Sequence, residues 1–242
     1  MSSIELFIKA LTIDWERIGR DSYLRDIPAI SGVEGLEFNN PITFFVGENG
    51  SGKSTLLEAL AVASGFNPEG GTRNYNFSTY DSHSELCNAV RLIRGCRRAK
   101  WGYFLRAESF YNVASAEEDY SKGGKVMPEF YHRKSHGESF LAMAQKNLQS
   151  NSLYFLDEPE AALSPQRQLT LLLEIVECAK NGSQFFIVTH SPILLGIPDA
   201  EILSFDDGRI HPCQYEDTES YQVTKMFLNN REQMLKSLLD DC

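Results

Sequence analysis

Residues 46–55, Val46-Gly47-Glu48-Asn49-Gly50-Ser51-Gly52-Lys53-Ser54-Thr55, contain the spacing Gly-x-x-x-x-Gly-Lys-Ser. Apolar Ile42, Phe44, Phe45 and Val46 precede it and predict a buried strand. Leu56, Leu57, Leu60 and Val62 follow it and predict a helix. A Gly-rich turn before any helix is the plain alternative, and these flanks argue against it. Glycines allow the backbone to wrap closely around an anion. Successive N–H groups and the helix N-terminus then face phosphates. In such a loop Gly47, Glu48, Asn49, Gly50, Ser51, Gly52, Lys53, Ser54 and Thr55 are the candidate nucleotide contacts. Lys53 is expected to reach the β- and γ-phosphates, which also makes it a candidate catalytic residue, and the Ser54 hydroxyl to hold Mg²⁺.

The 242 residues allow one large α/β domain or two small ones, and a sizeable core. With no repeats, low complexity or heptads, a single domain over 1–242 is expected. A net charge of −10 argues against nonspecific nucleic-acid binding by the whole surface. Arg91, Arg94, Arg97, Arg98 and Lys100 nevertheless cluster, as a local basic patch or as the solvated face of a helix. Five cysteines without a C-x-x-C pair fit a reducing cytoplasm rather than a disulfide framework. His83, Cys87 and Cys96 match no common zinc spacing. The first residues have no basic n-region, and no apolar run reaches membrane-spanning length, so no signal peptide or membrane insertion is expected.

In chain order, residues 4–14 predict a strand, 15–32 a polar loop, and 35–38 an extended segment before the turn Asn39-Asn40-Pro41. Residues 66–80 predict a long loop near the nucleotide. Residues 83–98 carry Leu86, Ala89, Val90 and Ile93 at helical spacing. Residues 102–108 predict a strand with a polar end, 115–134 a loop or lid, and 135–148 a helix. Strands are expected over 152–156 and 184–188, with a helix over about 165–180 between them. Asp206-Asp207-Gly208 signals a hairpin, and 219–240 one or two helices.

The 152–156 strand ends in Asp157-Glu158. An Asp there can bind Mg²⁺ opposite the Ser54 hydroxyl, and an adjacent carboxylate can deprotonate an attacking water. The two acids could alternatively cap a helix. With the P-loop present they read as a Walker B strand.

From here a family resemblance becomes specific. Asp157-Glu158-Pro159-Glu160-Ala161-Ala162-Leu163-Ser164 resembles the Walker B and D-loop run of ABC-type ATPases. Val188-Thr189-His190-Ser191 resembles their switch histidine, and Ser135-His136-Gly137-Glu138 a variant of their signature. The order of motifs is theirs, and the likeness covers most of 35–195. The chain resembles the small bacterial AAA-family ATPases with an ABC-type head and a Ser-His-Gly-Glu-Ser-Phe signature. That resemblance implies an α/β P-loop NTPase fold of three layers and ABC-ATPase type, mostly parallel with a small antiparallel β subdomain. It implies ATP and Mg²⁺ as ligands, and a head-to-tail homodimer formed with nucleotide. Ser135 and Gly137 would grip the γ-phosphate of the other subunit's ATP. Glu158 would be the general base, and His190 would contact the γ-phosphate.

The departures from the family pattern are His136 for a glycine, Glu138 for glutamine and Ser164 for the D-loop aspartate. Glu108 is the nearest substitute for a Q-loop glutamine and a candidate metal ligand. Tyr23 and Arg25 are candidate adenine contacts. The leading function is a stand-alone cytoplasmic ATPase that switches an unidentified protein client. Alternatives are an armless SMC- or RecF-like ATPase in DNA repair or defence, a transporter's nucleotide-binding subunit, and a non-hydrolysing ATP-binding partner. A nucleic-acid partner is left open. The short, Gly-broken stretch between P-loop and Ser135 excludes long coiled-coil arms.

Overall fold

The computed structural model describes residues 5–73, 84–106, 141–142 and 145–240. In chain order these hold β1 (Ile8–Ile13), α1 (Pro28–Ser31), β2 (Gly35–Glu37), β3 (Ile42–Val46), α2 (Lys53–Ala63), α3 (Leu86–Ala89), β4 (Val90–Arg94) and β5 (Trp101–Arg106). There follow β6 (Ser152–Asp157), α4 (Pro165–Lys180), β7 (Gln184–Val188), α5 (Pro192–Leu195), β8 (Glu201–Ser204), β9 (His211–Pro212), α6 (Glu219–Asn229) and α7 (Arg231–Asp240).

One sheet runs β5-β6-β7-β3-β8-β9, parallel except for β9, which pairs antiparallel with β8. A second sheet, β2-β1-β4, is antiparallel. This is the mostly parallel sheet with a small antiparallel one that the family resemblance implies. The physical cause lies in β3, β6 and β7, where every residue is buried. A strand covered on both faces needs a continuous apolar run, and parallel pairing needs crossover helices to do the covering.

Side chains alternate across the sheet. On one face Phe45, Phe155 and Phe186 pack against α2 and the antiparallel sheet. The Phe155 and Phe186 rings stack 5.5 Å apart. On the other face Phe44, Tyr154, Phe185 and Ile187 pack with Leu171 and Ile175 of α4. Each such fully buried ring or aliphatic chain contributes about 1.5–3 kcal/mol. α4 takes the predicted bounds because Pro165 sits at its first turn and Lys180 at its last.

A polar clamp ties the two sheets together. Gln184, 1% exposed at the start of β7, accepts the N–H groups of Phe7 and Ile8 through Oε1, both at 2.9 Å. Its Nε2 donates to the Ile8 carbonyl at 2.8 Å. The amide thereby satisfies backbone groups that the ladder leaves over at the edge of β1.

One expected element is different. Within 83–98 only Leu86–Ala89 is helical, and Val90–Arg94 is strand β4. It pairs with β1 in the register Ile13↔Val90 and Leu11↔Leu92. The apolar spacing fits a helix equally well, and the free edge of β1 overrides that preference. The basic cluster therefore lies on an edge strand and the loop after it, not on a helix face. The predicted strand at 4–14 is trimmed to Ile8–Ile13, and 219–240 forms two helices. The expected lid at 115–134 and the start of the helix at 135 lie outside the described residues. Among the described residues no helix is long and apolar enough to cross a membrane.

Candidate functional site

The loop 47–52 leaves the end of β3 and turns directly into α2. Two of its glycines are required by geometry. Gly47 has φ +136°, and a Cβ there would lie 2.8 Å from Asp206 Oδ1. Gly52 has φ +98°, and a Cβ there would meet Ile30 Cγ1 at 2.6 Å. Gly52 is also the N-cap of α2 and supplies no side-chain cap, so the first N–H groups of that helix are available to an anion. Among the described residues the buried Ser51 Oγ has no hydrogen-bond partner, which adds a donor to the same loop. The Lys53 ammonium is folded back onto the loop, donating to the carbonyls of Gly47 at 2.7 Å and Glu48 at 2.6 Å. Burial lowers its pKa, against the opposing pull of Asp206, Glu158, Asp157 and Glu48. Asn49, Gly50 and Thr55 complete the predicted run, with Asn49 and Gly50 exposed at its crest.

β6 lies two positions from β3 in the sheet, with β7 between them. All three are parallel, so their carboxyl ends share one edge with the P-loop. Ser54 Oγ there donates to Asp157 Oδ1 at 2.8 Å, across 103 residues of sequence. A hydroxyl and a carboxylate oxygen brought together are hard donors that fit Mg²⁺. Glu158 follows with φ +48°, a left-handed backbone uncommon for a non-glycine residue. It is held there by its N–H to the Val188 carbonyl at 3.0 Å and by its carbonyl accepting the Ala161 N–H at 3.1 Å. This turn lifts the Glu158 side chain out of the strand's alternation, half-buried beside Asp157.

His190 lies two residues beyond the end of β7 and is exposed. Its backbone N–H donates to Glu160 Oε1 at 2.6 Å. Among the described residues the buried Glu160 Oε2 atom meets no hydrogen-bond donor. Burial pushes the Glu160 carboxyl up, partly offset by the His190 and Thr189 hydrogen bonds. Ser191 Oγ donates to Gln168 Oε1 at 2.6 Å, and Gln168 Nε2 donates to the Leu163 carbonyl at 3.1 Å. The segment 158–164 and the segment 189–191 are thus bonded into one unit.

Several residues of this site escape sequence reasoning. Asp206 reads only as a turn residue, yet it sits beneath the P-loop. Its Oδ1 accepts the Glu48 N–H at 3.0 Å and its Oδ2 accepts the Ser204 hydroxyl at 2.9 Å. Arg106, opposite Asp157 in the β5–β6 register, places Nη1 2.7 Å from Glu58 and Nε 3.7 Å from Asp157 Oδ2. A usable signal existed for Glu58, which follows Ser54 by four residues and so shares its helix face. Cys87 donates to the same Glu58 at 3.8 Å, and burial pushes its thiol up to about 12.

The candidate adenine contacts Arg25 and Tyr23 bond within the protein. Arg25 is committed to the carbonyls of Trp15, Ile18 and Gly19, with its guanidinium 5.3 Å from the Trp15 ring centroid. Tyr23 donates to Ser84 Oγ at 3.2 Å. Neither lines the cavity of about 490 Å³ beside the P-loop, whose walls include Pro28, Ala29, Asn49, Ser51 and Asp207. A neighbouring cavity of about 330 Å³ joins Gly47 to His190 and Asp206. Ser135, Gly137 and Glu108 lie outside the described residues.

No curated protein matches the chain. Solved structures similar to it include a nucleotide-free ATP-binding cassette from an ABC transporter, at 16% identity and TM-score 0.47 over 90% of this chain and 94% of that one. A metal-chelate type ABC transporter in an inward-facing conformation matches at 18% identity and TM-score 0.47, over 86% and 84%. The SMC head domain from Thermotoga maritima matches at 15% identity and TM-score 0.45, over 86% and 100%. Among protein families, residues 139–196 match an AAA domain whose description also carries the words AbiEii toxin and Type IV TA system. Residues 23–156, more than half of the chain and including the P-loop and β6 up to Leu156, match the AAA domain family AAA_23. With a P-loop at the carboxyl edge of a mostly parallel sheet, this chain belongs to that AAA domain family.

Proposed function

We propose that this chain binds ATP with Mg²⁺ and hydrolyses it, and that two copies close head to tail around the nucleotide to switch a protein client in the cytoplasm. The observation that carries the reading is the 2.8 Å contact between Ser54 Oγ and Asp157 Oδ1 at the mouth of the P-loop. Mg²⁺ held by these two groups would neutralise charge on the β- and γ-phosphates. Lys53 exchanges its two loop carbonyls for phosphate oxygens, a trade of neutral acceptors for charged ones. Glu158, lifted from the strand by its left-handed backbone, accepts the proton of the attacking water. His190 contacts the γ-phosphate from the adjoining strand. Ser135 and Gly137 grip that phosphate from the second subunit, and Glu108 serves as a further metal ligand. Glu160 and Gln168 then link the base and His190 mechanically.

Glu158→Gln keeps the shape and removes the base. It is expected to retain ATP and to lower hydrolysis at least a hundredfold. With ATP and Mg²⁺ its light-scattering mass should double. Hydrolysis at the wild-type rate would remove Glu158 from the chemistry. A mass that stays monomeric would end the dimer reading while leaving the ATPase reading to the rate.

A further inference from the structure

The parallel sheet has a second charged end. A cavity of about 510 Å³ opens at the amino-terminal edge of β6, lined by Arg73, Arg94, Arg97, Arg98, Phe7 and Leu153. α2 separates it from the P-loop, since Arg94 Nη2 donates to the Ala63 carbonyl at the last turn of that helix, at 3.0 Å. An eleven-residue helix spans about 16 Å, so this is not the nucleotide site.

The guanidiniums are held in place by neutral groups. Arg97 donates to the Glu5 carbonyl at 3.2 Å and to Asn151 Oδ1, and lies over the Phe7 ring at 5.1 Å. Arg73 lies over Phe66 at 5.0 Å. Arg98 is exposed. Among the described residues none of the four forms an ion pair with a carboxylate. The Glu5 carboxylate accepts the Cys96 N–H at 3.2 Å. Burial lowers the Arg73 pKa, and the neighbouring Arg94 charge lowers it further. Four arginines around one cavity stand out in a chain of net charge −10.

We propose that this cavity is a second anion site, taking a small, multiply phosphorylated ligand through its phosphate groups alone. Arginine forks match phosphate oxygens in pairs, and a fork already held by other contacts loses little freedom on binding. The volume is that of a small-molecule site. The acidic remainder of the surface disfavours a long nucleic acid. Recognition of a base would need an exposed ring for stacking. The aromatic rings here, Phe7 and Phe66, are each 4% exposed and lie beneath guanidiniums. Affinity should therefore follow the number of phosphates and ignore the base.

The test uses the Lys53→Ala chain, so that the P-loop does not dominate, with tripolyphosphate, pyrophosphate and ATP as calorimetric probes. Tripolyphosphate should bind more tightly than pyrophosphate, and ATP within about threefold of tripolyphosphate. Arg98→Ala should weaken tripolyphosphate about tenfold, the loss of one charge-assisted contact. Adding Arg73→Ala should weaken it further, and Arg98→Lys should restore part of the loss. Arg98 is exposed, so its variants report binding without risk to the fold, which a thermal scan verifies. No tripolyphosphate binding to Lys53→Ala overturns the proposal, and so does binding that the Arg98 substitutions leave unchanged. A twelve-nucleotide single strand binding a hundredfold tighter than tripolyphosphate would also overturn it, and would make the surface a nucleic-acid contact.

Discussion

Gln184→Leu isolates the clamp between the two sheets. The side chain makes three hydrogen bonds, to the N–H groups of Phe7 and Ile8 and to the Ile8 carbonyl. Ile8 is fully buried, Phe7 is 4% exposed, and water cannot replace the lost partner. Each buried group left unpaired costs about 1–1.5 kcal/mol, so the change should cost about 3–4 kcal/mol. Leucine is close in volume, so cavity formation adds little and apolar burial recovers up to about 1 kcal/mol. A net loss of about 3 kcal/mol remains. Unfolding entropy is about 2.1 cal/mol/K per residue, or about 0.5 kcal/mol/K for 242 residues, which puts the expected fall in Tm at about 6 °C. Scanning calorimetry measures this directly. Amide hydrogen exchange gives a local reading, because the Phe7 and Ile8 amides should lose about a hundredfold protection. A Tm within about 1 °C of wild type, with protection at Phe7 and Ile8 unchanged, would refute the clamp.

With the basic cavity disabled by Arg73→Ala and Arg98→Ala, adding Lys53→Ala should abolish the remaining ATP binding in calorimetry, since it removes the point charge on the phosphates; unchanged affinity on that addition would remove the P-loop from the nucleotide site. Gly52→Ala forces a side chain into a left-handed backbone and against Ile30, which is fully buried and cannot retreat. It should cost about 2–4 kcal/mol and weaken ATP at least tenfold, and a variant with native Tm and native affinity would contradict the packing. Glu160 predicts a pH dependence. Its folded carboxyl is raised above 4.5, so the folded chain keeps a proton that the unfolded chain releases. That contribution is full below pH 4.5 and is lost as pH rises through the raised value. Thermal stability of wild type relative to Glu160→Gln should therefore fall from about pH 4.5 toward neutrality, and parallel pH curves would exclude a buried titrating Glu160.

The readable parts of this chain are those whose cause is local. The run Ile42–Val46, the glycine spacing and the apolar helix after it predict strand, loop and α2 without any knowledge of neighbours. The run ending in Asp157-Glu158, the helix opened by Pro165 and the Asp207-Gly208 hairpin are legible for the same reason. Residues 86–94 are not, because Leu86, Ala89, Val90 and Ile93 satisfy a helical period and β4 exists only where the edge of β1 is free to pair. Ser54 and Asp157 are each legible as donors, but their 2.8 Å contact follows from the strand order β6-β7-β3, which no local pattern encodes.

Asp206 remains a turn residue until β8 is set beside β3, and only then can its carboxylate receive the Glu48 N–H. Arg106 remains the polar end of a strand until parallel pairing puts it opposite Asp157. Gln184 is a polar start to an apolar strand until β1 brings it two N–H groups and a carbonyl from more than 170 residues away. The local pattern sets which groups can donate, accept or carry charge. Long-range packing sets which of them are deprived of water together, and a hydrogen bond or charge acquires its strength only once water is excluded.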